Sequence, residues 1–429
     1  MSAPATVASP GRLPRDDGPP AAPRGGRMRA AGRLLDRPLT SYYLVLGITM
    51  LLLALGLVMV LSTSSALAIA QGGPPYAGFQ KQLLGVVVGL PLMWIAARSS
   101  PTLFRAAAYP MVAASVLGLL LVLVMGQTVD GGERWIMIMG FQVQPSEFAK
   151  LAFVLWGADL LARKEKAGQL REWRHLLIPL LPGAAIFSML VMLGDDFGTT
   201  FILLVIFLAL LWVIGSPVRL FVGMLGLMGF SMVILIIVAR YRMARITGFF
   251  DAQSQASTAG YQTIQGTTAV GSGGWLGVGL GAGKMKFGWV PNATTDFIFA
   301  IIGEELGLVG TLCVTFLYGG LAYAGLRIAR RVPDTFMRLA AAAVTGWIVV
   351  QALVNIGAVI GVLPITGVPL PLVSAGLSSL LVTMVALGML MSFAKREPGA
   401  AQALAAAGPG PALRVLSWLG LAGARGSRG

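Results

Sequence analysis

Histidine and cysteine are almost absent: His175 and Cys313 are the single examples in 429 residues. One cysteine forms no intrachain disulfide, and one histidine excludes the common multi-histidine metal sites. Charge is scarce as well. Asp, Glu, Lys and Arg supply 11% of the chain, against about 25% in soluble domains. With a mean hydropathy of +0.80, this rules out a disordered chain and argues against a water-exposed surface of this size. What fills the sequence is apolar: 56% hydrophobic residues, with 56 glycines besides. Such a chain crosses a membrane many times, and its function has to be read from the few polar residues that lipid tolerates.

The formal net charge is +15. Beside a membrane it is read as loop charge facing an anionic cytoplasmic leaflet, and no nucleic-acid partner is expected. At about 20 apolar residues per crossing, candidate spans fall at 42–62, 80–97, 106–125, 147–163, 176–193, 198–214, 218–239, 297–322, 338–361 and 376–394. The predicted fold is an all-α polytopic membrane protein with ten transmembrane helices. GDDFG at 194–198 separates spans five and six, because adjacent aspartates are costly at the bilayer centre. With the N-terminus inside, the basic residues left outside are Lys81, Arg134, Lys150, Arg240, Arg242, Arg245, Lys284 and Lys286. That satisfies the positive-inside rule and returns the C-terminus to the cytoplasm. Three regions follow: a disordered basic cytoplasmic tail (1–40), a ten-helix membrane domain (41–396) containing a long exterior segment (240–296) between spans seven and eight, and a disordered cytoplasmic tail (397–429).

The polar residues gather in four exterior segments, 130–150, 194–200, 240–296 and 361–379. In DGGERWIMIMGFQVQPSEFAK, Pro145 starts span four, with Gln144 or Ser146 near its cap and Glu147 in its first turn. Glu147 and Lys150, three apart, share a face. Arg134 beside Trp135 suits the headgroup zone. In the long segment, YQTIQGTTAV reads as a re-entrant or interfacial helix. GSGGWLGVGLGAG has too many glycines for a helix, and serves either as a turn packed between helices or as a cradle for phosphate. Thr294 or Thr295 can cap the next helix, and Asp296 stands at its mouth, where it complements the helix dipole or does chemistry. Glu304 and Glu305 lie eight and nine residues further on, about 12–14 Å along a helix. They need partners, protonation or a polar cavity. Gln351 and Asn355, i and i+4 on span nine, suit interhelical contacts. Misplaced positive charge outside, with carboxylates at membrane depth, fits an enzyme using a lipid-linked anionic substrate or a transporter.

These motifs resemble the SEDS family of shape, elongation, division and sporulation proteins. The resemblance covers about residues 36–396 and is carried by GGERWIMIMGFQVQPSEFAKLAFVLW, GDDFGTT, YQTIQGTTAVGSGGWLGVGLG, ATTDFIFAIIGEELGLVG and LVNIGAVIGVLPITGVPLPLVSAGLSS. The division branch is matched more closely than the elongation branch, through GSGGWLGVGLG with KMKFGWVP, IIGEELGLVG and the basic N-terminal extension. The resemblance implies a septal, multi-pass protein of the bacterial plasma membrane. It would polymerise lipid II, the undecaprenyl-pyrophosphate-linked disaccharide-pentapeptide, alongside a class B penicillin-binding transpeptidase and other divisome proteins. The family's acid before span eight falls on Asp296, its lysine after QPSE on Lys150, its RW pair on Arg134 and Trp135, and its GEELG acids on Glu304 and Glu305. The chain departs from the family pattern in three places: PNATTD replaces PEAHTD, putting Asn292 and Thr294 where the family has glutamate and histidine. GDD replaces QPD but keeps Asp196, and SAGLSS replaces SYGGSS.

The implied reaction assigns Asp296 as general base, with Lys150 and Arg134 completing the catalytic set. Trp135, Gln144, Ser146, Glu147, Asp196, Arg240, Arg242, Lys284, Lys286, Glu304 and Glu305 are expected to bind substrate, the basic ones against pyrophosphate charge. Mg or Mn could share that work, although the sequence shows no dedicated cage. A lipid II flippase, an elongation-type polymerase and a non-catalytic divisome scaffold are the competing readings.

Overall fold

In the computed structural model the described residues are 39–129, 132–138, 140–169, 173–238, 243, 247–253, 260–400 and 402. The tail residues 1–38 and 403–429 lie outside them, as do Arg240, Arg242 and Arg245. Apolar runs become helices α1 (Thr40–Ala70), α2 (Ala77–Arg98) and α3 (Pro101–Met125). A small antiparallel sheet follows, β1 (Gln127–Val129), β2 (Gly132–Ile138) and β3 (Phe141–Val143), paired in that order. Then come α4 (Pro145–Lys166), the short α5 (Trp173–Leu177), α6 (Leu180–Leu193), α7 (Phe197–Val213) and α8 (Val218–Val238). The chain continues with α9 (Tyr261–Ser272), α10 (Ile298–Arg331), α11 (Thr335–Val359) and α12 (Leu377–Ala394).

Each of the ten expected spans overlaps helix in the structure. Seven of the helices, α1, α2, α3, α8, α10, α11 and α12, are long and apolar enough to cross a membrane. α6 and α7 are apolar but shorter, and α4 is interrupted by Glu147, Lys150 and Asp159. Span five begins later than expected, because the chain breaks at Ile178 and Pro179 and helix α6 starts at Leu180. The sheet has no counterpart in the sequence reading. Its strands are short, and Gly140, at φ 83°, makes the turn that pairs Ile138 with Phe141 and Ile136 with Val143. A left-handed φ of this kind favours glycine.

Burial sorts the helices. Residues along α4, α11, α12 and the first half of α10 are largely buried, whereas α8 buries Met232 alone. A helix apolar all round and exposed in this way is one that faces lipid. The bundle has two chemically different ends. One gathers the basic ends of α2, α4 and α10, where Arg105 and Arg163 hold Asp159 at 3.2 and 2.8 Å and Arg338 holds Glu165 at 3.1 Å. The other carries the sheet and the starts of α4, α7, α10 and α12, and there the candidate site lies.

Candidate active site

Proline at the first position of α4 uses a site where no backbone N–H is required. Side chains three residues apart then stack on one face, which puts Lys150 Nζ 2.9 Å from Glu147 Oε1. Lys150 is only 1% exposed, a depth a cation occupies only with partners. Two more come from α11. Lys150 Nζ donates to Gln351 Oε1 at 3.1 Å and lies 4.9 Å from the centre of the Trp347 ring. Trp347 Nε1–H donates to the same Gln351 oxygen at 2.8 Å, and Gln351 Nε2–H donates to the Pro369 carbonyl at 2.9 Å. Every polar group of that amide is therefore directional. Replacing it, as Gln351→Leu, is expected to lower the unfolding midpoint by the equivalent of about 1–3 kcal/mol; thermal unfolding in detergent reads this directly.

Asp196 caps α7 by accepting from Thr199 N–H at 3.0 Å, as expected of an acid at that position. Its second oxygen accepts from Gln144 Nε2 at 2.9 Å and Ser146 Oγ at 3.0 Å. These three residues, all expected to bind substrate, are thus spent largely on joining the start of α4 to the start of α7. Asp296 stands one residue before Phe297, the cap position of α10. Thr294 and Thr295 were expected as caps, but no side chain caps the helix, and Thr295 Oγ1 turns back to the Asn292 carbonyl. The backbone around Asp296 is gripped instead by the segment after α11. Asn355 Nδ2 donates to the Asp296 carbonyl at 2.7 Å and to the Val368 carbonyl at 2.8 Å. Ser374 Oγ donates to the Thr295 carbonyl at 2.6 Å, and Ala375 N–H to that of Thr294 at 2.9 Å.

These elements enclose a cavity of about 120 Å³ lined by Arg134 and Trp135 from β2, Gln144, Glu147 and Lys150 from the start of α4, Asp196 and Thr199, Asn292, Thr295 and Asp296, and residues 367–369, 375, 376 and 379. Seven of the predicted site residues thus share one space. Arg134 Nε and Glu147 Oε2 are buried and, among the described residues, have no hydrogen-bond partner. Both residues line the cavity, and its mix of donors and acceptors suits a ligand carrying both anionic oxygens and hydroxyls.

Other predicted residues lie elsewhere. Ser146 is buried beside the cavity in a narrow crevice. Arg240 and Arg242 lie outside the described residues. Glu304, Glu305, Lys284 and Lys286 do not line this cavity; they belong to the contacts that dock the glycine-rich loop. α10 breaks at Gly307, which takes φ 66° and ψ −162°, and the loop inserts at the break. Val278 and Gly279 N–H donate to the carbonyls of Glu304 and Glu305 at 3.0 and 3.1 Å; Leu308 and Val309 N–H donate to those of Gly274 and Trp275 at 2.9 and 3.2 Å. A Cβ on Gly277 would stand 2.1 Å from the Glu305 carbonyl oxygen, so only glycine permits the approach. Glu304 accepts from the N–H groups of Lys284 and Met285, while Glu305 pairs with Lys286 Nζ at 2.7 Å and accepts from Ser62 Oγ and Gly281 N–H. The Lys284 side chain is exposed. Among the described residues no three of His, Cys, Asp and Glu come together as a metal cage. Sequence reasoning missed Trp347 and treated Gln351 and Asn355 as ordinary helix contacts; their i, i+4 spacing was the available signal.

Fold and site together define a helical, multi-span membrane protein with a small charged cavity beneath a short sheet. The Cell cycle protein family, FTSW_RODA_SPOVE, matches residues 42–398. The chain belongs to this family. It is 42% identical over 378 residues to the "Probable peptidoglycan glycosyltransferase FtsW" of Mycobacterium tuberculosis, covering 87% of this chain and 72% of that one. Among solved structures it resembles a chain of a peptidoglycan synthase complex, at a TM-score of 0.68 and 26% identity, covering 82% of this chain and 96% of that one. It also resembles the rod shape determining protein RodA of Thermus thermophilus, at 0.60 and 28% identity, covering 85% and 99%.

Proposed function

We propose that this chain is a peptidoglycan glycosyltransferase that polymerises lipid II into β-1,4 glycan strands during septal wall synthesis. It works with a class B penicillin-binding transpeptidase and other divisome proteins, crosses the plasma membrane ten times and keeps both termini in the cytoplasm. The observation that carries this reading is the convergence of Arg134, Lys150 and Asp296 on one cavity. The FtsW-named relative and the likeness to a peptidoglycan synthase chain support the substrate class.

The reaction transfers a sugar. An acceptor hydroxyl attacks C1 of the donor, the new C1–O bond forms with inversion, and the bond to pyrophosphate breaks. Asp296 takes the hydroxyl proton, the role a carboxylate fills once it reaches hydrogen-bond distance. Arg134, with its Nε–H left over, meets the charge growing on the leaving pyrophosphate. Lys150, held by Glu147 and Gln351, sets a cation at a fixed point on the cavity lining. Glycan polymer is the expected product when the purified chain is given labelled lipid II, with and without its candidate transpeptidase. Lipid II crossing vesicle walls with no polymer formed in either condition would overturn the reading in favour of transport.

A further inference from the structure

One short stretch of chain, residues 374–378 at the entry to α12, ties the turn carrying Asp296 to the helix carrying Glu147 and Lys150. At one end Ser374 Oγ donates to the Thr295 carbonyl at 2.6 Å, and Ala375 N–H donates to that of Thr294 at 2.9 Å. At the other end Ser378 Oγ accepts from Gln144 N–H at 3.1 Å and donates to the Gln142 carbonyl at 3.5 Å. Thr295 directly precedes Asp296, and Gln144 is the cap position of α4, directly before Pro145. The two serines are 5% and 3% exposed, a depth at which a hydroxyl is explained by its partners. Between them Ala375 and Gly376 line the polar cavity. The stretch is therefore both a wall of the site and a bridge across it.

The bridge has a fixed shape. Gln82 of α2, 4% exposed, clasps it at two points: Nε2 donates to the Ser374 carbonyl at 3.3 Å, and Oε1 accepts from Gly376 N–H at 3.4 Å. Ser374 closes a turn on itself as well, since its Oγ accepts from Leu370 N–H at 2.8 Å and its own N–H donates to the Leu370 carbonyl at 3.0 Å. Four residue steps reach about 14 Å at most, so a bridge of this length has little slack. The bonds at both of its ends go to main chain, the Thr294, Thr295 and Gln142 carbonyls and the Gln144 N–H. They locate backbone on each side of the cavity and leave the side chains of Asp296 and Lys150 to the reaction. Position of this kind matters to catalysis: a shift of about 1 Å in a reacting group costs about 10²-fold in rate.

We infer that Ser374 and Ser378 are positioning residues, the two feet of a spacer that sets the separation across the cavity between Asp296 and Lys150, with Gln82 holding the spacer's shape. What that separation serves rests on the glycosyltransferase reading; the spacer rests on the bonds. The test takes the full-length protein in nanodiscs and measures initial rates of polymerisation over a range of lipid II concentrations. Ser374→Ala and Ser378→Ala should each cut kcat by about 10²-fold. KM should stay within about threefold of wild type, because misplacement is felt in the transition state and not in ground-state binding. The double variant should be little slower than either single one, since both changes release the same distance; independent losses would multiply to about 10⁴-fold. Gln82→Leu, whose side chain does not line the cavity, should lower kcat by about tenfold, the equivalent of one ordinary hydrogen bond. It decides alone where a serine variant does not fold. Ser392→Ala is the control: its equally buried hydroxyl donates to the Ser99 carbonyl at 2.6 Å at the far end of the same helix, and kcat should not change. An equal loss in the control, losses that multiply, or wild-type kcat in the serine variants would overturn the inference. Hydrogen exchange on the same samples needs no turnover: Ser374→Ala should speed exchange around residues 294–297 and 375, and Ser378→Ala around 144–147. Polymer made at wild-type rate by variants with unchanged exchange sinks the spacer alone. Loosened exchange in the variants, with no polymer even from wild type, supports the spacer and sinks the glycosyltransferase reading alone.

Discussion

Asp296→Asn is expected to slow lipid II polymerisation by about 10²–10⁴-fold, the usual contribution of a positioned general base. The substitution keeps the size of the side chain and removes its capacity to take a proton. Two contacts that hold this turn run through backbone: Asn355 Nδ2 to the Asp296 carbonyl and Ser374 Oγ to that of Thr295. They survive the change, so the variant should stay folded and the deficit should fall on turnover. An initial rate within a few-fold of wild type, from a folded variant, would remove Asp296 from the mechanism. Glu147, which lines the same cavity, would then be the next carboxylate to test.

Glu305→Ala should have the largest effect on stability. Glu305 is fully buried and sits 2.7 Å from Lys286, itself 3% exposed. Removing one member of a buried ion pair typically costs about 3–5 kcal/mol, because the other charge is left without compensation. More follows here. Glu305 also accepts from Gly281 N–H, and the same loop supplies the N–H groups that satisfy the Glu304 and Glu305 carbonyls at the break in α10. Non-helical backbone at membrane depth is tolerated only where protein or water satisfies it. The variant should therefore unfold at markedly lower temperature and lose activity in step, although Glu305 does not line the cavity. Glu305→Gln combined with Lys286→Met should recover much of the loss, since no charge is then stranded. A Glu305→Ala protein that melts like wild type would show that the loop docks by other means.

The candidate site was partly legible from the chain. QPSEFAK placed a proline-started helix with Glu147 and Lys150 on one face, and both line the cavity because helical spacing is a local property. The GDD turn and the Asp296 position were legible for the same reason. Gln351 and Asn355 were visible as polar residues on an apolar helix, but not the groups they bond: Lys150 lies 201 residues from Gln351 in sequence. Glu304 and Glu305 were expected to need partners, protonation or a polar cavity, and the structure gives them partners. Their depth along the helix followed from counting residues. Their direction did not, because α10 breaks at Gly307 and a loop from some thirty residues upstream fills the gap.

Composition and periodicity by themselves determined that this is a many-helix membrane protein, where along the chain its apolar segments lie, and which polar residues are too costly to be accidental. Those are sums over short windows, set by the transfer of side chains and backbone into lipid. Tertiary structure alone decided which costly residues are joined to one another and which face an open cavity. Asp196, Glu305 and Lys286 satisfy protein partners, while Arg134 Nε and Glu147 Oε2 find none among the described residues. That division depends on contacts between distant segments, and a buried polar group is explained only by the partner it finds.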